Sequence, residues 1–175
     1  MKRSYLGPCL MVVTVCLAAS LAAAQSIAGS AHSELTFSIP GQGQRTPGNY
    51  LGRVLALEFI NTKCSHCQAT SQVMTHVQQQ LGSDGFQALG IAVNDDAASL
   101  VSSFVADYHI NFPVGWTSYN QMLSYMGYTE RADMPQLVLI DRAGKIRYRT
   151  PRTGDPESLK EEVIVARVRE LLSRK

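Results

Sequence analysis

One apolar segment constrains the fold more than any other part of the chain. Residues 53–60 read RVLALEFI, so apolar side chains would point to both sides of a strand, and Glu58 is the only acidic residue among them. A strand that is apolar on both faces must be covered on both faces, and helices do this in α/β proteins. The segment therefore predicts the central strand of a layered α/β domain.

The region after this strand predicts an amphipathic helix. Ser65–Leu81 carries apolar residues at intervals of four along one face, and Gly82 follows its last residue. The remaining patterns predict strands at 35–39, 86–93, 136–141 and 145–149, a loop at 40–48, helices at 97–108 and 119–127, and a last helix opened by Asp155 and Pro156.

The order of these elements predicts an α/β sandwich around a mixed sheet. A turn at 141–144 separates the strands at 136–141 and 145–149, which favours an antiparallel hairpin. The first helix should cross over the sheet in the right-handed sense and begin at the carboxyl edge of the sheet. Open α/β sheets carry their sites at that edge, and Cys64 is placed there.

The first 24 residues are predicted to be a signal peptide. Lys2 and Arg3 precede an apolar run at 9–23, and the alanines at 22–24 offer a cleavage site. The alternative is an uncleaved membrane anchor, because the uncharged stretch has about the minimum length for a span. Both interpretations predict export to a bacterial periplasm, with the protein either soluble or anchored to the inner membrane. Residues 25–33 would be a linker and 34–175 a single domain.

Export divides the four cysteines of the chain. Cys9 and Cys16 lie in the signal segment, so the exported domain keeps only Cys64 and Cys67. No further thiol is then left for a structural disulfide. The net charge of the chain is only +2, so we expect no nucleic-acid partner.

The CxxC motif Cys64-Ser65-His66-Cys67 predicts the chemistry. Cysteines at i and i+3 of a helix are neighbours, so their sulfurs can close a small disulfide. Closing so short a loop adds little stability, which makes the bond better suited to exchange than to stabilisation. At the helix N-terminus the macrodipole stabilises the Cys64 thiolate. We therefore expect Cys64 to attack and the more buried Cys67 to resolve the mixed disulfide.

Other uses of the motif have less support. A zinc site needs four ligands, and the sequence has no second CxxC motif and no close histidine pair. Covalent haem attachment needs a histidine where this chain has Gln68. A resting structural disulfide stays open as an interpretation. We expect no metal and no bound cofactor, only a redox-active disulfide between Cys64 and Cys67.

These residues resemble a known family. The segment 57–67 (LEFINTKCSHC), with Met134-Pro135 ahead of the strand at 136–141, is similar to the thioredoxin superfamily. The export signal and the long stretch between the two motifs look most like the TlpA/ResA-type branch of exported thiol-disulfide oxidoreductases, with an AhpC/TSA-redoxin-like domain. The resemblance covers about residues 34–174 and implies a thioredoxin-like three-layer α/β/α sandwich with a central mixed β-sheet.

The resemblance also implies how substrates are bound. Pro135 would be a cis-proline facing the disulfide, and the backbone of Met134 would pair with the substrate peptide. The implied partners are protein thiols and disulfides and a redox partner protein, and the implied state is a monomer. Cell redox homeostasis is the corresponding role.

Glu58 precedes the motif within the predicted strand. The superfamily commonly has a buried acidic residue there, which exchanges a proton with the inner cysteine. Burial would raise the pKa of this carboxyl and suit it to acid–base work near neutral pH. The alternative is that Glu58 lies at the strand end and meets solvent.

His66 and Lys63 are the predicted redox-tuning residues. Positive charge on either side chain would stabilise the Cys64 thiolate and hence the reduced protein. Lys63 stands where the family usually has tryptophan, and Thr70 stands where many reductases of this branch have glutamate. These departures leave the direction of exchange open.

The leading functional hypothesis is an exported thiol-disulfide oxidoreductase that exchanges disulfides with proteins. One alternative is a thiol peroxidase, although the Pro-x-x-x-Thr/Ser-x-x-Cys signature is absent. The other is a copper chaperone that binds the metal through Cys64, Cys67 and a histidine.

Overall fold

The computed structural model describes residues 34–174. The predicted signal segment at 1–24 and the linker at 25–33 lie outside the described residues. In chain order the α-helices and strands are β1 (Phe37–Ile39), β2 (Gly43–Arg45), β3 (Val54–Ile60), α1 (Ser65–Leu81), β4 (Phe86–Ala92), α2 (Ala97–Asp107), β5 (Val114–Trp116), α3 (Tyr119–Met126), β6 (Gln136–Ile140), β7 (Ile146–Arg149) and α4 (Glu161–Ser173).

The strands form one mixed sheet in the order β2-β1-β5-β4-β3-β6-β7. The central strand β3 pairs with β4 in parallel and with β6 in antiparallel orientation. The pair β4 and β5 is also parallel, whereas β1 pairs antiparallel with both β2 and β5. The predicted hairpin of β6 and β7 is confirmed as antiparallel.

Helices cover both faces of this sheet. On one face α1, α2 and α4 contribute Met74, Val101 and Val168 to an apolar cluster. On the other face α3 contributes Met122 to a second cluster. Every residue of β3 is buried between these two layers, as its two-sided apolar pattern predicts. The predicted three-layer α/β/α sandwich with a central mixed sheet is confirmed.

The first helix has the predicted bounds, Ser65–Leu81. Its buried residues recur at helical spacing with polar residues between them, and this periodicity is why the sequence predicts the helix well. Cys64 is its N-cap residue and has an extended backbone, with φ −90° and ψ 120°. The strand-to-helix junction therefore lies directly at the CxxC motif.

Two short strands differ from the sequence prediction. β2 lies inside the segment predicted as the loop 40–48, and β5 lies in a segment for which no element is predicted. Each strand has only three residues, which is too short for an alternating pattern to be recognised. Both are held in place by pairing with β1, a contact that no local sequence pattern encodes.

The last helix begins later than predicted. Asp155 does cap a turn, because its side chain accepts a hydrogen bond from the backbone N–H of Ser158, but that turn is the short 3-10 segment Pro156–Leu159. Lys160 then adopts an extended backbone with ψ 142°, and α4 begins at Glu161. The prediction that Asp155 and Pro156 open the last helix is therefore wrong. A cap signal marks where a turn starts and does not determine how far it continues.

Gly115 on β5 allows a close approach to β1. A Cβ atom at this position would overlap the carbonyl oxygen of Ser38. Overpacking of this kind costs about 1–3 kcal/mol. We expect Gly115→Ala to lower the free energy of unfolding by at least the lower end of that range, measured by urea denaturation.

Gly48→Ala is the matched control for this prediction. A Cβ atom at Gly48 would meet only the Oγ1 atom of Thr46, at 3.3 Å. Equal losses of stability in the two variants would contradict the explanation based on close strand packing.

Candidate active site

The two cysteines lie in different environments at the junction of β3 and α1. Cys64, at the start of α1, is half-buried, whereas Cys67, one turn into the helix, is fully buried, and both are free thiols in this structure. This difference follows from the fold, because the helix starts at the sheet edge and runs inward over the sheet. Solvent therefore reaches part of Cys64 but not Cys67.

Cys67 is held as a protonated thiol. Burial is the main cause that raises its pKa above the usual value, and the neighbouring Cys64 and Glu58 raise it further. The backbone N–H of Asn61 donates a weak hydrogen bond to its Sγ atom, at 3.4 Å, which partly opposes these effects. Cys67 therefore has to lose a proton before or while it acts as a nucleophile.

Asn94 fixes the loop that leads to the cysteines. Its Oδ1 atom accepts a hydrogen bond from the backbone N–H of Thr62 at 3.1 Å, and its Nδ2 atom donates to the Thr62 hydroxyl at 3.1 Å. Asn94 follows β4, the neighbour of β3 in the sheet. The sequence analysis did not identify this residue, since a lone asparagine after a strand carries no distinguishing pattern.

Lys63 forms an ion pair. Its ammonium lies 2.5 Å from the Oδ2 atom of Asp96, and both side chains are exposed. The Asp96 carboxylate is also bonded by the Nδ2 atom of Asn94 at 2.8 Å. Much of the positive charge that Lys63 was expected to bring to Cys64 is therefore balanced by Asp96. His66, the other residue of this prediction, is exposed within the motif itself.

Glu58 lies in the interior of the domain. Its side chain is 0% exposed, so the alternative that it meets solvent at a strand end is wrong. The Ser71 hydroxyl donates a hydrogen bond of 3.0 Å to its Oε2 atom. Burial raises the pKa of Glu58 to about 8, and the Ser71 hydrogen bond opposes this rise. The carboxyl group can consequently both hold and release a proton near neutral pH.

Pro135 lies beside the cysteine loop because of strand pairing. Gln136, the first residue of β6, pairs with Phe59 near the end of β3. The bond between Met134 and Pro135 is cis. The side chains of Met134 and Cys64 pack against the same apolar cluster. The sheet thus brings together the two motifs that are far apart in the sequence.

Gln136 anchors the segment that contains Met134 and Pro135. Its buried amide donates a hydrogen bond of 2.6 Å to the carbonyl oxygen of Asp133 and accepts one of 2.7 Å from the hydroxyl of Thr150. The Thr150 hydroxyl also accepts from the backbone N–H of Leu137 at 3.0 Å. This buried polar network connects the proline segment to the end of β7. The sequence analysis treated Gln136 only as the first residue of a strand.

A groove runs from the motif along the side of α1. It has a volume of about 650 Å³ and lies between the start of α1, the segment of Met134 and Pro135, and the segment 153–160. Its walls include His66, Ala69, Thr70, Val73, Pro135, Pro156 and Leu159. The groove is therefore mostly apolar, and His66 of the CxxC motif forms part of its wall.

Residues 34–174 contain neither a cluster of metal-ligating side chains nor a helix that could span a membrane. Within this range no group of three or more His, Cys, Asp or Glu side chains is arranged to hold a metal ion. Over the same range no helix has the length and apolar character required to cross a membrane.

The chain has the thioredoxin fold of thiol-disulfide oxidoreductases. A thiol:disulfide interchange protein of the thioredoxin family from Chlorobium tepidum matches with a TM-score of 0.64 and 20% identity, over 80% of this chain and 94% of that one. A secreted Mycobacterium tuberculosis disulfide oxidoreductase homologous to E. coli DsbE matches with a TM-score of 0.61 and 18% identity, over 78% and 96% of the chains. No curated protein matches the sequence.

The sequence also identifies the family. Residues 34–165 match the family model described as Redoxin. This match spans most of the chain, so the protein belongs to the Redoxin family. The resemblance to the thioredoxin superfamily, predicted from the CxxC motif and from Met134-Pro135, is confirmed.

The burial of Glu58 has a consequence for stability. The carboxyl has an ordinary pKa of 4.5, and burial raises it to about 8 in the folded protein. Between these pH values the unfolded chain has released a proton that the folded chain still holds, so stability falls as the pH rises through this window. The glutamine in Glu58→Gln cannot ionise, so the substitution removes the loss of stability between these pH values. We expect the variant to gain on the wild type as pH rises, by on the order of a few kcal/mol at pH 8.

Urea denaturation between pH 4.5 and 9 measures this effect. Glu162→Gln is the control, because Glu162 is an exposed residue of α4 and loses the same charge on substitution. A free energy of unfolding for Glu58→Gln that follows the wild-type curve across the whole range would rule out the buried carboxyl as its cause.

Proposed function

We propose that the protein is an exported thiol-disulfide oxidoreductase that exchanges disulfides with protein substrates through its Cys64-Ser65-His66-Cys67 motif. The observation that carries this proposal is the contrast between the two thiols. Cys64 is accessible at a helix N-terminus, whereas Cys67 is buried beside an acidic group whose pKa is near neutral. A dithiol that forms and resolves mixed disulfides requires this division between an attacking and a resolving sulfur.

The exchange would proceed in two steps. In the first, the Cys64 thiolate attacks a substrate disulfide, forms a mixed disulfide and releases one substrate sulfur as a thiolate. In the second, Cys67 attacks the Cys64 sulfur, and the second substrate sulfur leaves. The substrate disulfide is reduced to two thiols, while Cys64 and Cys67 are oxidised to a disulfide. The reverse sequence would oxidise a substrate dithiol. Glu58 would exchange the proton of Cys67, and no bound cofactor takes part.

The groove supports a protein substrate. It has room for an extended peptide segment, its walls are mostly apolar, and it begins at His66 beside Cys64. The backbone of Met134 would pair with this segment, and Pro135 would contact the substrate next to the reacting sulfurs. Extended segments bind well where main-chain hydrogen bonds give affinity and neighbouring pockets accept side chains.

Export is supported by the sequence. Residues 1–24 have the order of charged, apolar and small residues that signal peptides have. The similar Mycobacterium tuberculosis protein is a secreted disulfide oxidoreductase. An exported dithiol protein would act on disulfides in an oxidising compartment, where such bonds form and persist.

The resolving role of Cys67 can be tested by trapping. We expect Cys67→Ser to accumulate covalent adducts between Cys64 and substrate proteins, because the mixed disulfide can form but cannot be resolved. Non-reducing gels of cells that express the variant should show bands that disappear on reduction. Cys64→Ser in the same background is the control. Absence of any Cys64-dependent band would contradict the proposed exchange.

The role of the groove can be tested separately. Ala69→Glu places a charge in the apolar wall, whereas Gln72→Glu adds the same charge to an exposed position of α1 outside the groove. Both positions are exposed in the free protein. We expect Ala69→Glu to reduce kcat/KM about tenfold or more for a peptide disulfide, because a peptide in the groove would bury the new charge at a cost. The rate with a small aromatic disulfide should change little. Equal effects of the two substitutions would exclude peptide binding in the groove.

A further inference from the structure

Ser71 lies at an unusual position for a hydroxyl group. It is 1% exposed and lies one turn after Cys67 on the buried side of α1. The following buried residues of the same helix, Met74 and Val77, are apolar. A hydroxyl in such surroundings is costly unless it is hydrogen-bonded. Its partner is the Oε2 atom of Glu58, at 3.0 Å.

The other oxygen of Glu58 is left without a partner. Among the described residues none forms a hydrogen bond with its Oε1 atom, which is buried. The Glu58 charge acts on Cys67, since it contributes to raising the pKa of that thiol. The two carboxyl oxygens are thus unequal: one is bound to Ser71, and the other is available for a proton.

We propose that Ser71 is a positioning residue for the proton transfer between Cys67 and Glu58. Its hydroxyl holds the Oε2 atom and leaves Oε1 as the atom that accepts the Cys67 proton. This inference rests on the proposed function, because it concerns the step in which Cys67 resolves the mixed disulfide.

The Cys67 thiol gives its proton to Glu58 Oε1 through a bridging water molecule, since no described residue bonds Oε1 directly, and the Cys67 sulfur forms a bond with the Cys64 sulfur. The bond between Cys64 and the substrate sulfur breaks, and that sulfur leaves with the electron pair as a thiolate. Two protein thiols have then been oxidised to one disulfide, and the substrate disulfide has been reduced. Ser71 takes part only through its hydrogen bond.

The hydroxyl also stabilises the ionised form of Glu58. The other groups around the Glu58 carboxyl donate no hydrogen bond to it, so the Ser71 hydroxyl is the main source of this stabilisation among the described residues. Gly90 of β4 and Leu137 of β6 are the strand partners of Glu58. On this side of the sheet α4 contributes Ile164 to the apolar cluster that contains Cys67. Cys67 is the titratable group coupled to Glu58. Loss of the Ser71 hydroxyl should therefore make ionised Glu58 rarer at neutral pH.

The test uses the reaction of the reduced protein with Ellman's reagent. The first thionitrobenzoate released reports the attack of Cys64, and the second reports resolution by Cys67. We expect Ser71→Ala to shift the pH profile of the second release upward by about one pH unit, and to slow it about tenfold at pH 7. The first release should keep its wild-type rate.

Two further comparisons separate this role from packing. Ser71→Thr and Ser71→Val have the same shape but differ in the hydroxyl, so only the valine variant should show the shift. In a Glu58→Gln background, Ser71→Ala should cause no additional change. An unshifted second release in both the alanine and valine variants would overturn the inference, as would a shift that persists without the carboxyl group. Absence of the first release would instead refute the proposed function.

Discussion

The burial of one carboxyl group inside the central strand governs the rest of the site. Glu58 is covered by α1 and by the neighbouring strands, and the Ser71 hydroxyl is its hydrogen-bond donor. An ionised carboxylate with so few partners would be expensive to bury, so the group keeps its proton up to about pH 8. The neutral form lowers the free-energy cost of burying this carboxyl in the core. It also places a group that exchanges protons near neutral pH next to Cys67.

The junction between β3 and α1 gives each thiol its own environment. The strand ends at the sheet edge, the loop is held by Asn94, and the helix then runs back over the sheet. Cys64 consequently lies at the edge and Cys67 in the core, although only two residues separate them. The difference in burial between the thiols is therefore a consequence of backbone geometry.

The sequence predicts those parts of the domain whose pattern is local. The two-sided apolar pattern of β3 and the helical period of α1 identify both elements, and the CxxC motif between them identifies the site. The residues that hold this site come from distant segments, as Asn94 and Gln136 do, and only the assembled sheet brings them close. The short strand β5 is missed for the same reason. It forms by pairing with β1 and β4, and its own sequence carries no strand pattern.

The two walls of the groove differ in origin. One wall is the start of α1, which also carries the thiols, whereas much of the other wall comes from the segment 153–160 between β7 and α4. Gln136 and Thr150 fix the base of that second wall through buried hydrogen bonds within the sheet. The exposed residues of this wall, Thr153, Pro156 and Lys160, lie outside the apolar cluster that contains Cys67, whereas Leu159 packs against that cluster. Under the proposed function, substitution of these three residues would change the lining of the groove while leaving the cluster around Cys67 and the hydrogen bond between Ser71 and Glu58 in place.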